Sequence, residues 1–209
     1  MPRQKEASER LREERRDILL HHALRIFVRK GLSATRMHDI AQAAGVSQGL
    51  AYHYFDSKED IFVELIRTAY ARMSEAALAL EELPLPPDEK IGLASEQLFA
   101  GFATGEAAAL NFLLIVQASV YETVPEEAKA IVSGRSLLHS VIAGIVSEGQ
   151  KKGTFKDFPP ADMAMLFWSA LAGLAILKAS LGPDFKVPDY RILVGMVTND
   201  TTGPDAERS

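Results

Sequence analysis

The chain contains no cysteine. Disulfides, thiolate nucleophiles and cysteine-ligated metal sites are therefore excluded, and a reducing cytoplasm is the expected compartment. Segments of alternating apolar and polar residues are also lacking, which removes the pattern of a half-buried strand. No internal repeat and no low-complexity segment stands out. The opening residues, MPRQKEASERLREERR, contain no apolar stretch, so a secretory signal is not expected. The longest near-apolar run, Met163–Leu177, would span about 22 Å as a helix, short of a hydrocarbon layer roughly 30 Å thick. Asp162 and Lys178 flank it. The expectation is a buried or interface helix and no membrane partner.

What is present is a chain of 209 residues, 47% hydrophobic, with enough apolar material for a sizeable core. Its net charge of -5 is unevenly spread. Residues 1–55 carry 10 Lys/Arg against 6 Asp/Glu, whereas residues 56–209 carry 13 against 22. A basic head on an acidic body is the asymmetry of a protein whose head alone meets a polyanion. A solvated basic helix face gives the same numbers, and charge alone does not separate the two.

Helical periodicity runs along the chain. Leu20, Ala23, Leu24 and Phe27 fall at i, i+3, i+4, i+7 before a stop at Gly31. Thr35 is placed to cap the next segment, where Met37, Ile40, Ala41 and Ala44 repeat the spacing up to Gly45. Ser47 can cap a third, short helix ending near Phe55. Ser57 and Asp60 form a variant capping box that opens a long helix with the stripe Phe62, Ile66, Ala69, Met73, Ala76, Leu80. The prolines of LPLPP, 83–87, end it. Further helical runs are expected near 88–103, 107–121, 126–151, 160–181 and 189–198, with KKGTFKDFPP as the clearest loop. The expected fold class is all-α, divided into a helix-turn-helix head, 1–56, a helical body, 57–200, and a polar tail, 201–209.

Two short helices joined at Gly45 are the layout of a helix-turn-helix. Val46, Ala51 and Phe55 can face inward, which leaves Gln48, Gly49, Tyr52, His53 and Tyr54 outward. A glutamine amide can read an adenine edge with two hydrogen bonds. Gly49 permits close backbone approach, while tyrosine hydroxyls and a histidine ring can donate to phosphates. Thr35, Arg36 and Lys58 lie at helix N-termini, where backbone N–H groups favour phosphate.

The stretch TRMHDIAQAAGVSQGLAYHYFDSKEDIFVELI resembles the DNA-binding domain of the TetR/AcrR family of transcriptional regulators, from about Ile18 to Ile66. The resemblance rests on A-x-x-A-G-V-S, the Y-x-Y-F segment and the S-K-E opening the connecting helix. It implies a homodimer, usually a repressor, whose helix starting at Ser47 enters the major groove of near-palindromic double-stranded operator DNA. Leu50 stands where many members carry a small hydroxyl residue; it meets a thymine methyl or packs against Tyr54. The basic residues of RLREERR either extend the contact to flanking phosphates or are simply solvated, interrupted as they are by Glu13 and Glu14.

The resemblance also implies a small-molecule effector site among the middle helices and dimerisation through helices near 160–181 and 189–198. Phe99, Phe102, Phe112, Gln117, Tyr121, Met163 and Trp168 are candidate ligand contacts, each also a plain core candidate. No cationic cluster suggests a phosphorylated ligand, which points to a lipophilic or aromatic molecule. Ala164, Ala170, Ala172, Gly173 and Ala175 are small residues that permit close helix approach.

Three other readings are weaker. GVSQG satisfies G-x-S-x-G, but that nucleophile elbow needs a strand before the serine, and MHDIAQAA has helical period. An enzyme is not expected. Asp17 and His21 share a helix face but are too few for a metal site, and no cofactor is implied. The alternative to a regulator is a helical protein-interaction module that has lost DNA binding.

Overall fold

The computed structural model describes residues 2–133 and 136–199; the expected tail, 201–209, lies outside them. Ten α-helices follow in order: α1 Pro2–Ala34, α2 Met37–Ala43, α3 Gln48–Tyr54, α4 Lys58–Glu82, α5 Pro87–Thr104, α6 Glu106–Val120, α7 Glu126–Ser133, α8 Ser136–Lys151, α9 Pro160–Leu181 and α10 Tyr190–Val197. The run expected as one helix over 126–151 is thus described as two stretches. Among the described residues there is no strand, only an isolated antiparallel bridge between Phe155 and Thr198. The all-α class is as expected.

Contacts divide the chain into two compact units, Met1–Tyr70 with Leu110–Ser133, and Ala71–Ala109 with Gly134–Ser209. These are packing units; the division by role, 1–56 against 57–200, belongs to the proposal below.

In the first unit Ala23, Leu24 and Phe27 of the expected α1 stripe are buried, but Leu20 is half-buried and Leu19, at 0% exposure, takes its place. Ile40, Ala41 and Ala51 from the two short helices, and Ile61, Phe62 and Ile66 from α4, are buried with them. Gly31 breaks α1 with φ 77 and ψ 162. Thr35 does not cap α2 as expected. It is fully buried, and its hydroxyl turns back to donate to Gly31 O at 2.7 Å. The N-cap is Arg36, whose own backbone N–H reaches Asp39 Oδ2 at 3.3 Å. Ser57 does cap α4, accepting from Asp60 N at 3.1 Å.

In the second unit α5 and α9 each begin with proline at the first turn, where its missing N–H costs no helical bond. Ile91, Phe102, Val146, Phe167 and Leu171 form the most deeply buried part of its core. Phe155 is also buried and lies over Gly149, where an added Cβ would come within 2.0 Å of the ring. Gln150 Nε2 holds the same loop by donating to Lys156 O at 2.8 Å and Phe158 O at 2.7 Å.

Helix α9 extends beyond the 15-residue apolar run. Its 22 residues reach about 33 Å, so by length and composition it is able to cross a bilayer. The expectation that length alone excludes a span is therefore corrected. One stripe of α9 packs inward: Met163, Phe167, Leu171 and Ala175 are buried at i, i+4 spacing. Another is apolar and exposed, with Met165, Leu166, Ile176, Leu177 and Leu181 each about half accessible or more. The small residues divide accordingly. Ala164 and Ala175 are fully buried within the chain, while Ala170, Ala172 and Gly173 are half-buried.

Candidate nucleic-acid interface

The site begins with the end of α2. Gly45 adopts φ 68, the left-handed conformation that glycine accepts without steric cost. Gly45 N donates to Gln42 O at 3.1 Å and Val46 N to Ala41 O at 3.0 Å. This is a complete Schellman closure, which satisfies carbonyls that the helix end leaves over. The chain then reaches Ser47 in extended conformation, and its Oγ accepts from Leu50 N at 3.2 Å, capping α3. A cap on a helix that follows a helical turn is not a nucleophile elbow, and no strand precedes it.

Helix α3 is held on the unit by few side chains. Ala51 is fully buried and Phe55 nearly so, while Val46 is half-buried. Gln48, Gly49, Tyr52 and His53 are exposed, with Tyr52 at 47%. Leu50 and Tyr54 are half-buried, and the rings of His53 and Tyr54 meet edge to face at 5.6 Å. Four of the five residues expected to face outward are thus exposed on one short helix, and Tyr54 is partly covered.

The flanking cations behave differently from one another. Arg36 is exposed and, with Thr35, Tyr52 and Lys58, lines a shallow hollow of about 270 Å³. Lys58 stands at the first position of α4 as expected, but its ammonium is turned onto backbone carbonyls of residues 32, 33 and 35. Arg16, from the basic N-terminal run, lies over the Phe55 ring at 5.1 Å and pairs with Glu64 at 3.0 Å. That arginine braces the unit rather than reaching outward. His21 and His22 meet edge to face, and burial together with His21 and Arg25 lowers the pKa of His22 below its ordinary 6.5. Among the described residues no group of three metal-ligating side chains converges.

The ligand candidates fall in different compact units. Phe112, Gln117 and Tyr121 belong to the first, where Gln117 Nε2 donates to Val28 O at 3.1 Å and lines a cleft with Tyr121. Phe99, Phe102, Met163 and Trp168 belong to the second. Phe102 and Met163 are buried there, and Phe99 lies beneath an open groove beside α10. Trp168 alone of these lines an apolar cavity of about 250 Å³ between α4, α5, α8 and α9. Its Nε1 donates to Leu138 O at 3.2 Å, which fixes the ring. Most of the cavity wall escaped the sequence reading: Met73, Ala76, Ala77 and Leu80 of α4 and Ala94 and Leu98 of α5, with Arg72 and Gln97 as the polar members. The available signal was the clustering of alanines on facing helices.

A capped, outward-facing second helix on a three-helix scaffold is a helix-turn-helix arrangement. The family described as "Bacterial regulatory proteins, tetR family" matches residues 19–65, the stretch that builds this unit. The chain is 38% identical over 77 residues to the HTH-type transcriptional regulator BetI of Rhizobium meliloti (strain 1021), covering 37% of this chain and 38% of that one. It is 49% identical over 53 residues to the HTH-type transcriptional repressor KstR2 of Rhodococcus jostii (strain RHA1), covering 25% and 26%. These matches span well under half of the relatives' own lengths. The crystal structure of the MbdR regulator from Azoarcus sp. CIB shares the fold, with a TM-score of 0.75 at 20% identity over 85% of this chain and 94% of that one. Residues 19–65 thus match the DNA-binding domain model of the tetR family of bacterial regulatory proteins, and the solved regulator shares the fold over 85% of this chain.

Proposed function

We propose that the protein is a transcriptional regulator, a repressor by mode, that acts in the cytoplasm as a homodimer on near-palindromic operator DNA. Its residues 1–56 would serve as the reader and 57–200 as the sensing and dimerising body. The observation that carries the reading is the exposure of Gln48, Gly49, Tyr52 and His53 on a helix anchored by buried Ala51 and Phe55. Gln48 is assigned to a base edge, Leu50 to a thymine methyl, and Arg36, Tyr52, His53 and Tyr54 to phosphates.

The effector is proposed to occupy the apolar cavity walled by Met73, Ala77, Leu98 and Trp168. The lining suits a small lipophilic or aromatic molecule, and the volume of about 250 Å³ falls just below that of most ligand pockets. Helix α4 carries Lys58 at its start and cavity residues in its second half. A ligand that prefers one setting of α4 shifts the population of reader geometries. Near-complete switching needs a preference of about 5.5 kcal/mol.

The test is a salt titration of DNA affinity on genomic fragments. Each phosphate contact should contribute about -0.9 to the slope of log affinity against log salt. Gln48→Ala should relax base preference at one position, and Tyr54→Ala should weaken binding to all sequences. Absence of any mobility shift at low ionic strength would overturn the reading.

A further inference from the structure

At the start of α4 one ammonium has all its hydrogens committed. Lys58 Nζ lies 2.9 Å from Leu32 O, 3.3 Å from Ser33 O and 2.8 Å from Thr35 O. An ammonium has three donors and no acceptor, so three carbonyls saturate it. The side chain is 21% exposed, and the Glu59 carboxylate stands 3.8 Å away.

The accepting carbonyls come from the exit of α1. Gly31 breaks that helix, and the last carbonyls of a helix have no partner within it. Neighbouring groups are met in the same way: Gly31 O accepts from the Thr35 hydroxyl and Val28 O from the Gln117 amide.

The position of these carbonyls in the chain matters more than their number. Residues 36–57 contain α2, the turn and α3. Thr35 is the residue before that segment and Lys58 the residue after it. The ammonium therefore joins the two ends of the helix-turn-helix and closes it into a loop whose seam is a charge-assisted hydrogen bond of 2.8 Å.

We propose that Lys58 is a positioning residue, a clasp that sets the attitude of α2 and α3 on the connecting helix, and not a phosphate ligand. Its effect on affinity rests on the DNA-binding reading; its effect on the fold does not. To reach a phosphate the ammonium would have to abandon the part-buried bonds to Leu32 O and Thr35 O, carbonyls of buried residues. Arginine cannot replace it, because a planar guanidinium fork does not reproduce a compact three-way donor. A phosphate contact, by contrast, tolerates either cation.

The experiment compares Lys58→Met and Lys58→Arg with the wild-type full chain. Thermal midpoints are measured without DNA, and affinity for a random-sequence duplex is measured across a salt series. A clasp lowers the midpoint in both variants and leaves the salt slope of Lys58→Met at the wild-type value. A slope reduced by about 0.9 in Lys58→Met would overturn the proposal, since that is the signature of one lost phosphate contact. So would a wild-type midpoint in Lys58→Arg. If Lys58→Met does not fold, the Lys58→Arg midpoint decides alone. A chain that binds no duplex at low salt defeats the DNA-binding reading and leaves the thermal comparison intact.

Discussion

The rings of Phe27 and Phe62 meet edge to face, with centroids 5.4 Å apart and planes at 74°. Neither is more than 1% exposed, so the pair locks α1 to the first turns of α4 in dry surroundings. Aromatic pairs in this geometry add to the stabilisation already given by burial. Phe62→Ala is expected to lower unfolding free energy by about 3–5 kcal/mol, and Phe62→Leu by less. Urea denaturation followed by circular dichroism measures both. Equal losses for the two variants would show that ring geometry and volume are immaterial there.

Gly149 is required by a neighbour rather than by its own backbone. A methyl group there would overlap the Phe155 ring, which is 2% exposed and cannot swing into solvent without opening the loop. Gly149→Ala should cost about 1–3 kcal/mol or more through overpacking, visible as a lower thermal midpoint. The double variant with Phe155→Ala should show less than the sum of the two losses, because the overlap is then gone.

The exposed apolar residues of α9 and α10 give a test of association. Leu166 and Ile192 are 62% and 64% exposed on helices proposed to pair with a second copy. Leu166→Glu or Ile192→Glu should convert a dimer to a monomer in sedimentation velocity without loss of helical content. A dimer that survives both changes would place the interface elsewhere.

His22 is expected to cause a small loss of stability in mild acid. Burial, then the nearby His21 and Arg25, disfavour its charged form and lower its pKa from 6.5. The unfolded chain therefore binds the proton more readily than the folded one. The contribution is present above pH 6.5 and is lost as pH falls through the lowered folded value. His22→Gln should flatten the dependence of the thermal midpoint on pH in that window. An unchanged profile would assign the dependence to other groups.

The α2–turn–α3 unit was legible because its signals are local. Gly45 needs a positive φ and Ser47 needs only the amide three residues on, so spacing suffices to place both. Thr35 misled because a threonine before a helix reads as a cap. Its hydroxyl bonds backward to a carbonyl that is free only because Gly31 has broken α1. Lys58 was placed correctly at the start of α4, but its carbonyl partners were not legible for the same reason: a side chain's partners across 23 to 26 residues leave no trace in spacing. The cavity was missed because aromatic residues were sought as its lining. Aromatics fill space, and the void lies where Ala76, Ala77 and Ala94 leave it.

The Ser47 hydroxyl and the buried Ala51 methyl carry the support of α3, while Gln48 and Tyr52 look out from it. On the proposed DNA-binding function, recognition and architecture fall to separate positions of one seven-residue helix. Substitutions at 48 and 52 would then alter the target read and leave the mounting beneath them as it is.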